Sequence, residues 1–209
     1  MSQNKNNNTV WNTRIKKKTS NIFKKVGSSI EVDKRLYKED ILASVSHAEM
    51  LYKQKIITIK IKDKILWGLK RIQNEIEKKN FKFDENLEDI HMNIENRLFE
   101  LIGNDAGYLH SARSRNDQVV TDLKLWLKKS TGEIDSLLLK VIKSLIKISE
   151  KNIFTIMPGF THLKNAQPIS LAHYFLSNVE MFKRDRFRFS SNKKSCLLYT
   201  SPSPRDVCS

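Results

Sequence analysis

At 209 residues, with 39% hydrophobic and 29% charged side chains, the chain can bury one sizeable core or two small ones. Six glycines, four prolines and scarce β-branched alternation exclude a typical sheet protein and point to an all-α chain. The net charge of +15 comes mostly from scattered lysines, with no nucleic-acid motif, and no apolar run nears the about 18 residues of a membrane span, so a cytoplasmic protein without specific nucleic-acid or membrane partners is expected.

Residues 1–9 are too polar to pack and read as a frayed tail. The segments Val10 to Ile15 and Val26 to Ile30 follow, the second carrying Ser29, which by itself reads as an ordinary loop or cap serine. From Lys38 to Lys55, Ile41, Val45, Ala48 and Tyr52 recur at helical spacing. Lys62 to Lys79 repeats the pattern with Ile65, Leu69, Ile72 and Ile76, with Asp63 as its expected cap. A third helix starts near Glu88 and Asp89 with a stripe of Ile90, Ile94, Leu98 and Leu101, which places His91 about 100° around, on the flank of the stripe.

Gly103 to Leu127 changes halfway from turn formers and polar groups to an apolar helical pattern. Ser111, Arg113, Ser114, Arg115, Asn116, Asp117 and Gln118 crowd just ahead of that pattern. Free N–H groups, the partial positive charge of a helix start and bidentate arginines together favour a carboxylate or phosphate; a simple helix cap by Ser114, Asn116 or Asp117 is the other reading. Val119, Leu123 and Trp126, then Ile134, Leu137, Leu138, Val141, Leu145 and Ile148, extend one helix of about 50 Å to about Lys151. Apolar residues over so broad an arc imply a bundle completed by other helices or other chains. Met157-Pro158-Gly159 stops that helix, and Pro168 is placed as the first residue of the next, which runs through Ile169, Ala172, Leu176 and Val179 toward Arg188. From Ser195 on, both cysteines (Cys196 and Cys208), paired prolines and no helical period mark a segment that reads as non-native.

Arg113-Ser114-Arg115-Asn116-Asp117-Gln118-Val119 closely resembles the signature of argininosuccinate lyases, members of the fumarase/aspartase superfamily. Pro158-Gly159-Phe160-Thr161-His162-Leu163 with Ala166-Gln167-Pro168 is similar to a second run of that family, and Glu88 to Glu95 is similar to a third. Trp11, Arg14 and Ser29 match weaker positions, though both glycines the family carries beside Trp11 are replaced. The resemblance covers roughly Trp11 to Lys194.

It implies a small amino-terminal helical domain over 10–112 and, over 113–194, the first long helices of a central helical bundle, here truncated, with 1–9 and 195–209 as tails. It implies β-elimination of argininosuccinate to arginine and fumarate, in arginine biosynthesis, by a homotetramer that uses no metal or organic cofactor. Carried over by position, Ser29, Arg115, Asn116 and Thr161 would bind substrate, and His162 would take part in proton transfer or orient its partner. His91, Asp89, Arg113, Asp117, Gln118 and Gln167 would support the site. The family's flexible Ser-Ser-x-Met-Pro-x-Lys-x-Asn loop, which supplies the base, is absent from this sequence. Family sites are assembled from several subunits, so the chain is expected to be inactive alone. A non-catalytic relative of the lens-crystallin kind, another lyase of the superfamily and a basic binding module are the alternatives.

Overall fold

A face of Ile or Leu every three to four residues forces helices together wherever it recurs, and among the described residues it builds a helical structure with one hairpin. The computed structural model describes residue 22 and residues 26–196, with side chains to 193. The expectations for residues 1–9, Trp11, Arg14 and the tail beyond Cys196 lie outside the described residues. The chain packs as two compact units, one ending at Leu123 and the other beginning at Lys124.

In the first unit a short helix α1 (Ile30–Asp33) and a 3-10 turn (Lys34–Leu36) lead into α2 (Tyr37–Lys53), α3 (Ile59–Glu77) and α4 (Ile90–Ile102). A second 3-10 stretch (Gly103–His110) then leads to α5 (Arg115–Lys151). Ile41, Ala48 and Leu51 of α2, Ile65, Leu69 and Ile72 of α3, and Ile90, Ile94 and Leu98 of α4 form the core. Each such side chain, fully buried, contributes about 1.5–3 kcal/mol.

Three details differ from the sequence expectation. Thr58, not Asp63, caps α3, its hydroxyl accepting from the Ile61 N–H at 3.4 Å, while Asp63 pairs with Lys62 at 3.0 Å. On α2, Leu51 is buried and Tyr52 exposed, because the inward face is Ile41, Ser44, Ala48 and Leu51. On the first turns of α5, Gln118 and Asp122 are buried while Val119 and Leu123 of the expected apolar stripe face out.

Gly68 sets how closely α3 meets α4, since a Cβ there would run into Leu98 Cδ1 and reach Ile102 Cγ2 at 3.6 Å. Leu98 is itself fully buried and has nowhere to turn. Gly68→Val is therefore expected to cost about 1–3 kcal/mol of stability despite the poor helix propensity of glycine. Urea unfolding checks this, and an unchanged midpoint would mean that the interface yields.

The second unit holds the rest of α5, a hairpin of β1 (Ile156–Thr161) and β2 (Lys164–Ser170), and α6 (Leu171–Cys196). At 37 residues and about 1.5 Å per residue, α5 is about 55 Å long. Arg186 of α6 forks onto Asp135 of α5, with Nε to Oδ1 at 2.7 Å and Nη2 to Oδ2 at 3.0 Å. Among the described residues of this unit only Ile142, Ala172 and Val179 are buried apolar side chains, whereas Leu137, Val141, Leu176, Met181 and Phe187 are exposed.

The hairpin corrects the expectation that Pro168 begins a helix. Pro168 lies in β2 opposite Pro158, and the helix starts three residues later, at Leu171. Neither proline has an N–H to give the ladder, which a two-stranded hairpin made only of edge strands tolerates. The register slips between Pro158 and Phe160, where Gly159 admits the Gln167 carbonyl to 2.6 Å from where a Cβ would stand.

Candidate active site

At the start of α4 the backbone N–H groups lack helical partners, and acidic side chains gather to meet them. Asp89 is the N-cap, accepting from the Met92 N–H at 2.7 Å. Asp33 of α1 accepts from the Ile90 N–H through Oδ1 at 3.2 Å and from the Ser29 hydroxyl through Oδ2 at 2.6 Å. The Ser29 N–H donates to the Glu88 carbonyl at 2.8 Å, which ties the loop before α1 to the loop before α4. Burial, with the Asp89 charge added, holds the Asp33 carboxyl above its ordinary range despite the Ser29 bond. Ser29 and Asp89 are thus brought together, with Asp33 between them, a residue the sequence reading did not single out.

In the same first turn α4 carries His91, on the flank of the apolar stripe and wholly buried, 1% exposed. Its Nδ1 lies 2.9 Å from Asp40 Oδ1 of α2 and 3.4 Å from Asp122 Oδ2 of α5. Gln118 Nε2 donates to the same Asp40 oxygen at 2.6 Å. Burial alone would raise Asp40, but the bond to His91 and its charge, together with the Gln118 amide, outweigh burial and hold the carboxyl below its usual value. A charged carboxylate only accepts, so His91 Nδ1 carries the proton in this contact.

Asp122 is the opposite case. It is fully buried and accepts no hydrogen bond, so its link to Asp40 needs a proton of its own. Burial and the neighbouring Asp40 charge push it up to about 9, with Arg113 only partly offsetting them. Asp122 is therefore a neutral acid at pH 7, and its proton is the smallest occupant that relieves two adjoining carboxyls.

Donor atoms of Asp40, His91 and Asp122 all lie within 4.8 Å of one another, close enough to face a cation. Two hydrogens already point at Asp40 Oδ1, and the Arg113 guanidinium supplies positive charge alongside. A proton and that guanidinium balance the cluster without a metal ion.

Arg113 donates to the Ser44 hydroxyl at 2.9 Å, and burial lowers its pKa against the pull of Asp40 and Asp122. Ser114 precedes the first helical residue of α5, its carbonyl accepting from the Gln118 N–H at 3.1 Å. Arg115 Nη1 donates to Gln118 Oε1 at 2.8 Å and Nη2 to Glu95 Oε2 at 2.8 Å. Asn116 and Asp117, in the same turn, are exposed. The first unit therefore assembles Ser29, Asp89, His91, Arg113, Arg115 and Gln118 into bonded groups around α4, with Asn116 and Asp117 on the exposed side of the α5 start.

Thr161, His162 and Gln167 belong to the second unit and all sit exposed on the hairpin. Its turn is His162-Leu163, between the paired Thr161 and Lys164. Both turn residues have positive φ, 48° and 63°, a conformation usually given to Asn or Gly. Leu163 is 99% exposed, and the two-residue turn itself demands positive φ at both positions, which these two side chains adopt without a glycine.

Asp33, Asp40, Asp122, Ser44 and Glu95 are the participants that sequence reasoning missed. Polar pairs at i and i+4, Asp40 with Ser44 and Gln118 with Asp122, were the available signal.

A lyase family model matches residues 13–201. The chain is 59% identical over 195 residues to the argininosuccinate lyase of Pelagibacter ubique (strain HTCC1062), covering 93% of this chain and 42% of that protein. To the argininosuccinate lyase of Ehrlichia ruminantium (strain Welgevonden) it is 50% identical over 182 residues, covering 87% of this chain and 39% of that one. The chain thus spans about two fifths of the length of these relatives. Among solved structures, an EDDS lyase in complex with formate superposes with a TM-score of 0.66 at 25% identity, over 76% of this chain and 31% of that chain. A fumarate lyase:delta crystallin from Brucella melitensis superposes at 0.64 with 19% identity, over 76% of this chain and 41% of that chain, a likeness of fold. With the family match running over nearly its whole length, this chain belongs to the lyase family.

Proposed function

We propose that the chain is part of an argininosuccinate lyase and supplies the substrate-holding side of an elimination site but not the base. The observation that carries this reading is Arg115, held at the start of a long helix by Gln118 and Glu95, with Asn116 exposed beside it. The 59% identity to a named argininosuccinate lyase supports the choice of substrate.

In such an elimination the proton beside one carboxylate leaves, its electron pair forms the C=C bond of fumarate, and the C–N bond breaks as the guanidino nitrogen takes a proton. Negative charge builds on the carboxylate, so donors fixed before the reaction lower the barrier. Arg115, Asn116 and Ser29 are the proposed carboxylate and amino-acid ligands from the first unit, with Thr161 from the hairpin. His162 takes part in proton transfer or orients the group that does, and Asp89, His91, Arg113, Asp117, Gln118 and Gln167 support these residues. No metal or organic cofactor is required.

The exposed Leu137, Val141, Leu176, Met181 and Phe187 of the long helices fit burial in a homotetramer of the full-length parent, in the cytoplasm. Among the described residues no helix is long and apolar enough to cross a membrane.

The test compares the 209-residue chain with a chimera in which residues 13–194 replace the matching part of the Pelagibacter lyase. Fumarate formation from argininosuccinate, followed by ultraviolet absorbance, is expected from the chimera and not from the chain alone. Turnover by the chain alone would overturn the missing-base claim, and an inactive but folded chimera would overturn the lyase reading.

A further inference from the structure

Gln118 joins groups of opposite demand. Its amide is buried, 3% exposed, between Asp40 Oδ1 at 2.6 Å and Arg115 Nη1 at 2.8 Å. A carboxylate only accepts hydrogen bonds and a guanidinium only donates them, so the amide has one usable orientation, NH₂ toward Asp40 and oxygen toward Arg115. Asp40 is in turn fixed by His91 from α4, and the second Arg115 nitrogen is fixed by Glu95 from the same helix.

We infer that Asp40, a residue far from the signature run in sequence, is a positioning residue for Arg115, acting through the orientation it imposes on Gln118. Neutral Asn at position 40 could meet the amide with either end. Gln118 would then be free to turn its NH₂ toward a guanidinium that cannot accept it, and Arg115 would keep only the Glu95 contact. Because α2 supplies Asp40, α4 supplies Glu95 and α5 supplies Arg115 and Gln118, the relay also ties the arginine to two other helices at once. Its value for catalysis rests on the reading that Arg115 binds a substrate carboxylate; the positioning itself does not.

The test uses arginine side-chain NMR on the 209-residue chain. In the unaltered chain the Arg115 guanidinium is expected to show separate, slowly exchanging Nη signals. Asp40→Asn and Gln118→Met, which keeps the side-chain length but makes neither bond, should each collapse them to an average. The Asp40→Asn, Gln118→Met pair should do no more than Gln118→Met alone, since both cut the same link. Arg97, forked onto Glu75 at 2.9 and 3.0 Å, is the internal control and should keep its separate signals.

A restrained Arg115 in Asp40→Asn with Gln118 intact overturns the inference. If Asp40→Asn releases Arg97 as well, the fold has loosened, and Gln118→Met decides in its place. In the chimera, Gln118→Met is expected to lower kcat/KM by about tenfold to a hundredfold, mainly through KM. Collapsed Arg115 signals with unchanged KM would leave the relay standing and sink the substrate role of Arg115.

Discussion

Asp122→Asn is expected to make the chain more stable at neutral and alkaline pH, by about 2–4 kcal/mol near pH 8. The wild-type side chain is fully buried beside a second carboxyl, accepts no hydrogen bond, meets Asp40 only by keeping its proton, and is pushed up to about 9. Unfolded, it ionises near pH 4. Below that value both states hold the proton and nothing is lost. Between pH 4 and 9 only the unfolded state gives its proton up, so stability falls as pH rises, by up to about 1.4 kcal/mol per unit, and levels off above 9.

Asn has the same shape, needs no proton, and can donate to Asp40. Asp40 has the opposite sign: its carboxyl is held low, so its contribution is present above the unfolded pKa and disappears as pH falls through the folded one. Urea unfolding from pH 5 to 9 should therefore show a declining midpoint for the wild-type chain and no such decline for Asp122→Asn. Equal slopes would mean that Asp122 is not the neutral acid of the pair.

These carboxyls also show where reading the sequence stopped. Periodicity found α2 to α6, because a buried face of Ile and Leu repeats with the helix whatever it packs against. It could not say which face of α5 turns inward. The apolar candidates Val119 and Leu123 face out, and the polar Gln118 and Asp122 are buried, since His91, Asp40 and Arg113 complete their interactions. A buried carboxyl with its compensating groups on other helices leaves only a polar i, i+4 pair, Gln118 with Asp122, as its local trace in the chain.

The hairpin was hidden for a different reason. Pro158, Gly159 and Pro168 are signals to stop or start a helix, and no Gly marks the His162-Leu163 turn. Only the resemblance of the Thr161-His162 run to a known lyase segment singled out this stretch. The α5 start was legible on both grounds: composition alone made it an anion grip or a cap, and the order of its residues narrowed the choice.

Arg115→Lys in the chimera is expected to cost about a hundredfold in kcat/KM but only about 1–3 kcal/mol of stability. Both halves follow from what the guanidinium does. Its Nη1 bonds Gln118 and its Nη2 bonds Glu95, and the planar fork leaves other N–H groups in a fixed plane for a substrate carboxylate. Lysine keeps the charge but has one nitrogen, which can satisfy Glu95 or a substrate and cannot lie across Gln118 and Glu95 together.

A lost bidentate contact to a carboxylate is worth about 2–5 kcal/mol in a water-excluded site, which is where the hundredfold comes from. The ion pair with Glu95 is partly solvated, with side chains 24% and 31% exposed, so its loss costs under about 1 kcal/mol, and the buried Gln118 oxygen left without its donor adds about 1–3 kcal/mol. A general structural defect would move both quantities together. Arg115→Lys with wild-type kcat/KM would show that charge alone suffices there, and the α5 start would then be a helix cap with a solvated arginine.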